Sequence, residues 1–78
     1  MTVRQLFDAR DAKPFRPFVI HLADGRALEV QHPEFLGIAP KERTAIVYER
    51  DDSREVIDID LVTSVRIPVG SRPASQPS

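Results

Sequence analysis

The sequence contains no cysteine and no tryptophan, and its apolar segments are all too short to cross a membrane. Without cysteine, the chain has neither a disulfide nor a thiolate that could bind a metal or act as a nucleophile. His21 and His32 are separated by eleven positions, which is not a zinc-ligand spacing. The sequence therefore predicts no metal site and no cofactor. The first residues also lack an apolar segment of the kind that directs secretion, which predicts a cytoplasmic protein with no membrane association.

A strong charge of either sign is also missing, since 11 basic and 12 acidic residues give a formal net charge of −1. This excludes the class of proteins that coat nucleic acid through overall positive charge. Only residues 1–26 are net basic, with five basic and three acidic side chains.

The chain has 78 residues, and residues 69–78 are mostly Gly, Ser, Pro and other small or polar residues. We predict one small domain over residues 1–68 followed by a disordered tail over residues 69–78. A domain of this length buries only about 60% of the surface that its unfolded chain exposes. Because there is no disulfide or metal to add stability, self-association is the remaining common source of support, and we expect a homo-oligomer or another protein partner.

The first segment has the features of a short helix. Thr2 can cap its start, and Gln5 follows at the spacing of a capping box. Pro14 ends the segment, and Pro17 keeps the connection extended. The face that the helix turns toward the core is predicted to contain Val3, Leu6, Phe7 and Arg10.

Residues 18–22 and 26–30 predict a β-hairpin. A loop of residues 23–25 places Phe18 opposite Val30 and Ile20 opposite Leu28, so apolar side chains share one face. A two-residue loop would instead set polar side chains among them. The three-residue loop requires Gly25 in the left-handed conformation.

Three further segments at residues 44–48, 55–59 and 63–67 are rich in β-forming residues, and Pro33 predicts a short helical turn between the hairpin and the rest. The fold class is therefore mainly β with an N-terminal helix (α+β). We expect about five short strands in a strongly bent antiparallel sheet or a small barrel.

The motifs F-R-P-F-V-I-H-L-A-D-G-R, V-Q-H-P-E-F-L and I-D-I-D-L-V-T-S-V cover most of residues 13–67. This arrangement resembles a set of short uncharacterised bacterial proteins that share an F-x-P-F, D-G-R and H-P-E-F pattern. The order of helix, strand, D-G turn, bent strand and terminal strand also resembles the Sm-like and SH3-like small barrels. The Sm-like resemblance implies a ring of subunits and a single-stranded RNA ligand.

Alternation along the strands places Val19 and His21 on the face opposite the predicted core, and Val47 is assigned outward in the same way. Outward apolar positions are typical of a protein contact. We therefore interpret the chain as a non-catalytic binding module for a protein partner or a second copy, with Val19, His21 and Val47 as contact residues.

An alternative function of another class is single-stranded RNA binding. Basic and aromatic side chains alternate after the helix and could contact phosphates and stack on bases, namely Arg10, Lys13, Phe15 and Arg16. A salt-dependent affinity that falls when these basic residues are replaced would distinguish this function.

A third class, enzymatic function, would need a base oriented by a further group. His32 and Glu34, which flank Pro33, are the positions to consider for an acid and base pair or a metal. Asp58 and Asp60 could instead hold a hard cation such as calcium. Turn formation explains both pairs more simply. The sequence therefore predicts that the protein is not an enzyme.

Overall fold

The structure is a computed structural model that describes residues 2–68. Its first element is helix α1, Val3–Asp11, which begins at the predicted capping box. The Thr2 hydroxyl accepts a hydrogen bond from the Gln5 N–H at 3.1 Å, and the Gln5 side chain accepts one from the Thr2 N–H at 3.0 Å. These two bonds confirm the predicted helix and its capping box. Leu6, on the face predicted to turn toward the core, is completely buried.

Strands β1, Phe18–Leu22, and β2, Ala27–Val30, form the predicted hairpin. Phe18 pairs with Val30 and Ile20 pairs with Leu28. Gly25 has a φ of 95°. The predicted register and its left-handed glycine are confirmed.

Four more strands follow, which makes six rather than about five: β3, Leu36–Ala39; β4, Thr44–Tyr48; β5, Arg54–Asp58; and β6, Val62–Arg66. They form two antiparallel three-stranded sheets, with the orders β2-β1-β6 and β3-β4-β5. The predicted fold class, mainly β with an N-terminal helix, is confirmed. Residues 2–68 form two separate sheets, and neither closes into a barrel, so the expected single bent sheet or small barrel is not found there. The 3₁₀ turns Pro33–Phe35 and Ile59–Leu61 take the chain from one sheet to the other, so the ladder is interrupted at both crossings.

A single core holds the two sheets and α1 together. No polar or charged side chain among residues 2–68 is buried. The twelve buried side chains are Leu6, Phe18, Ile20, Leu22, Leu28, Val30, Leu36, Ala45, Val47, Ile57, Ile59 and Val62.

The predicted tail at residues 69–78 lies outside the described residues, and the domain limit at residue 68 stays a prediction. Within residues 2–68, α1 is too short to cross a membrane.

Candidate functional site

The candidate site is the open edge of β5. This strand is the last one in the order β3-β4-β5, and β4 is its only partner within residues 2–68. An edge strand presents main-chain donors and acceptors on the side that has no neighbour, and another chain can pair with them.

Two hydrogen bonds just beyond the ends of the β4–β5 ladder determine which groups face this edge. The Glu49 N–H donates to the Ser53 carbonyl at 2.9 Å, and the Ile59 N–H donates to the Arg43 carbonyl at 2.8 Å. Bonded and non-bonded pairs alternate along an antiparallel ladder. Both bonds join odd-numbered residues. By this alternation, the odd-numbered residues of β5 form the backbone hydrogen bonds to β4.

The even-numbered residues of β5 are Arg54, Val56 and Asp58. By this alternation their N–H and C=O groups point away from β4 and toward the open edge. No backbone hydrogen bond within residues 2–68 joins these groups to another element. The edge therefore offers three residues whose main chain can extend the sheet.

The same residues carry the outward side chains of β5. The Val56 side chain is 60% exposed, and Ile46 lies opposite it on β4 as a partly buried residue. Tyr48, two positions further along β4, is 38% exposed. We call Ile46, Tyr48 and Val56 the apolar face. Its exposed side chains adjoin the open edge, so one partner could cover both.

Opposite charges stand on either side of Val56. Arg54 is exposed and forms no salt bridge within residues 2–68. Asp58 is also exposed, and its Oδ1 accepts a hydrogen bond from the Asp60 N–H at 2.9 Å. That bond caps the turn Ile59–Leu61.

The odd-numbered side chains of β5 face the other sheet. Ile57 is buried in the core, and Glu55 accepts a hydrogen bond from Arg26 at 2.8 Å. Arg26 also contacts Asp24 at 2.9 Å in the β1–β2 loop, and the Arg26 backbone N–H lowers the pKa of Asp24. These contacts connect the first hairpin to β5 and hold the strand in place from its inner side.

Beyond the end of β5, Asp60 pairs with Arg43, whose Nε donates to the carboxylate at 2.9 Å. This hydrogen bond and the positive charge of Arg43 lower the pKa of Asp60 and raise that of Arg43. A carboxylate whose pKa is lowered by folding stabilises the fold above its unfolded pKa. The contribution is lost as the pH falls through the lowered value.

Replacing Arg43 with glutamine should raise the pKa of Asp60 toward its ordinary value, because the charged donor is removed. The pKa can be followed through the carboxyl chemical shifts in an NMR titration. Asp51 is the internal control, since its pKa is lowered by the Ser53 hydroxyl and N–H. An unchanged pKa at Asp60, or an equal change at Asp51, would contradict the assigned cause.

The predicted contact residues divide into two groups. Val19 and His21 lie on β1, the central strand of the first sheet, and are partly buried on its outward face. Their outward orientation is confirmed, and their role as contacts stays a prediction. Val47 is 1% exposed and lies in the core, so its assignment to an outward surface is wrong. It pairs with Leu36, and this buried neighbour fixes the side of β4 that faces inward.

Three of the residues proposed for RNA binding line one cleft beside the end of α1, namely Arg10, Lys13 and Phe15, and Arg16 is not among the lining residues. Arg10 is engaged within the protein. Its Nε donates to Asp11 at 3.0 Å, it reaches the Leu36 carbonyl at 3.5 Å, and its guanidinium lies 4.9 Å from the centre of the Phe7 ring. Phe15 packs against the core, 5.8 Å from the Phe18 ring.

His32, considered above for an acid and base pair, lies beside an aromatic ring. Its ring meets Phe35 edge to face, with 5.3 Å between the ring centres. Within residues 2–68 there is no group of three or more His, Asp or Glu side chains arranged to hold a metal ion.

No known protein-family model, no curated protein and no solved structure matches this chain.

Proposed function

We propose that the protein is a non-catalytic interaction module that binds a protein partner through the open edge of β5 and the adjoining apolar face. The observation that carries the proposal is Val56, an exposed β-branched side chain on a strand whose outward main-chain groups have no partner within residues 2–68. Main-chain pairing supplies affinity in such a complex, and the outward side chains supply specificity.

β5 has main-chain donors and acceptors that no other strand within residues 2–68 uses. Edge strands in soluble proteins are commonly shortened, bulged, covered or protected by proline, because an open edge invites pairing. β5 has five residues, pairs without a register shift along its whole length and contains no proline. Burying Val56 would remove apolar area from water while its N–H and C=O gain partners.

The proposal assigns no catalytic step. The acidic side chains around β5 are held in turns and ion pairs: Asp58 caps the turn Ile59–Leu61, Asp60 pairs with Arg43, and Asp51 accepts from Ser53 at 2.6 Å. These contacts give each of the three carboxylates a structural role.

Single-stranded RNA binding remains the second candidate. Lys13 and Phe15 line the same cleft, which favours it. The ion pair between Arg10 and Asp11 weighs against it, because a neutralised arginine attracts phosphate less strongly.

A pull-down of the tagged full-length protein from native cell extract tests the proposal, with half of the extract treated with nuclease. We expect the tagged wild-type protein to recover one protein partner from both the treated and the untreated extract. That partner can be the untagged protein itself. Val56→Lys should abolish this recovery, because it puts a charge at the centre of the edge. Ser64→Lys is the control, since it adds the same charge at an exposed position on the other sheet.

Two results would contradict the proposal. Recovery that is equal for wild type and Val56→Lys would exclude the β5 edge as the binding site. Recovery of RNA, with loss of all protein after nuclease treatment, would favour the cleft beside α1 instead.

A further inference from the structure

We propose that the partner of the open edge is a second copy of this chain, and that the two β5 strands pair antiparallel about a twofold axis at Val56. This inference rests on the proposed function, because it uses the same edge. The two three-stranded sheets β3-β4-β5 would then join into one continuous sheet across the dimer.

Charge complementarity identifies the occupant. Antiparallel pairing about Val56 places Arg54 of one copy opposite the partner's Asp58, and Asp58 opposite the partner's Arg54. Directly opposite ion pairs stabilise antiparallel strands, and directly opposite like charges destabilise them. The symmetry forms both favourable pairs at once from one pair of residues.

The backbone has the phase that this pairing needs. A twofold axis through Val56 makes it a bonded pair with its own copy, and the bonded pairs on either side are then Arg54 with the partner's Asp58 and its symmetry mate. The groups that point to the open edge belong to these same three residues. The side-chain charges and the positions of the outward N–H and C=O groups therefore favour the same register.

The apolar face also becomes continuous in this register. Val56 meets the partner's Val56 on the outward side of the sheet, and Ile46 of each copy flanks the pair. The contact covers a side chain that is 60% exposed in the single chain.

The other edge strands of residues 2–68 lack this complementarity. Symmetric pairing of β2 about Glu29 would set that carboxylate opposite its own copy. β3 contains no charged residue, and β6 has only Arg66 with no acidic partner in the strand. β5 is therefore the edge that the sequence adapts to a second copy.

Sedimentation equilibrium of the full-length protein over a wide concentration range tests the pairing. We expect a reversible monomer–dimer equilibrium for the wild type. Arg54→Asp should weaken it at least about tenfold, because both ion pairs become repulsive at once. Arg50→Asp is the matched control, since it makes the same charge change in the turn before β5 and should leave the equilibrium unchanged.

Mixing gives the sharpest result. Arg54→Asp carries aspartate at both positions, and Asp58→Arg carries arginine at both. Each protein alone should stay largely monomeric, while an equimolar mixture should restore dimers, now composed of one chain of each kind. Because Asp58 caps a turn, circular dichroism must first show that Asp58→Arg is folded. If it is not, Asp58→Asn keeps the capping oxygen, and adding it to Arg54→Asp should recover part of the lost affinity.

The outcomes separate this inference from the proposed function. A wild-type protein that remains monomeric throughout overturns the self-pairing. The interaction module still stands in that case if Val56→Lys loses a different protein partner in the pull-down. Self-association that ignores Arg54→Asp, or that proceeds beyond a dimer, also overturns the pairing, because the copies then meet through other surfaces. If neither assay responds to changes in β5, both proposals are wrong.

Discussion

Replacing Val47 with lysine is expected to unfold the protein, whereas the same replacement at Val56 leaves it folded. Val47 is 1% exposed and packs between the two sheets, while Val56 is 60% exposed on the neighbouring strand. An ammonium group buried without a partner costs roughly 3 to 5 kcal/mol. Small domains have little stability to spare, so a loss of this size removes most of the folded population.

Far-UV circular dichroism and urea unfolding of both variants check this result. Val56→Lys should change the free energy of unfolding of the single chain by no more than about 0.5 kcal/mol, as is usual for an exposed position. A cooperative, near-wild-type transition for Val47→Lys would show that Val47 is not part of the core. This comparison also decides which of the two valines is available to a partner.

Gly25→Val is expected to lower the free energy of unfolding by about 1 to 3 kcal/mol. The φ of Gly25 is 95°, a conformation that a β-branched residue adopts only with strain. A Cβ added at Gly25 would meet no atom within 4 Å, so the expected loss comes from backbone strain and not from a clash of this atom. In a domain of this size, the melting temperature should fall by roughly 4 to 24 °C.

Gly37→Val is the matched control for the turn. Gly37 lies in β3 with ordinary extended backbone, and a Cβ there would also meet no atom within 4 Å. We expect its melting temperature to stay near that of the wild type, because valine suits a strand. Equal effects at the two glycines would mean that the left-handed turn does not determine the hairpin register.

The first hairpin could be predicted from sequence because its information is local. Phe18, Ile20, Leu28 and Val30 leave only one register that keeps apolar side chains together, and Gly25 fits the loop that this register needs. The helix could also be predicted from local sequence, because Thr2 and Gln5 form a capping box at its start.

The orientation of β4 could not be predicted in the same way. Four of its five residues are β-formers, and by size Ile46 and Tyr48 would be chosen for the core. The structure instead buries Ala45 and Val47, which pair with Ile57 and Leu36 respectively. Contacts with β3 and β5 determine which face of β4 is buried, and the sequence of β4 alone does not indicate them.

The outward face of β5 could be predicted from sequence, whereas its open edge could not. Ile57 and Ile59 are both buried, so alternation places Val56 and Asp58 on the opposite side. What the sequence did not reveal is that β5 lies at the end of a sheet, because strand order depends on the crossings at Pro33–Phe35 and Ile59–Leu61.

The entirely apolar interior has a consequence for how such a chain can change over evolutionary time. The core of residues 2–68 has no buried polar side chain, so it depends on side-chain volume and shape. Exchanges that conserve volume usually cost less than about 1.5 kcal/mol. Leucine, isoleucine and methionine can therefore replace one another at many of these sites while the architecture persists. Lineages that share this fold should diverge quickly in their cores and keep the turn glycine far longer.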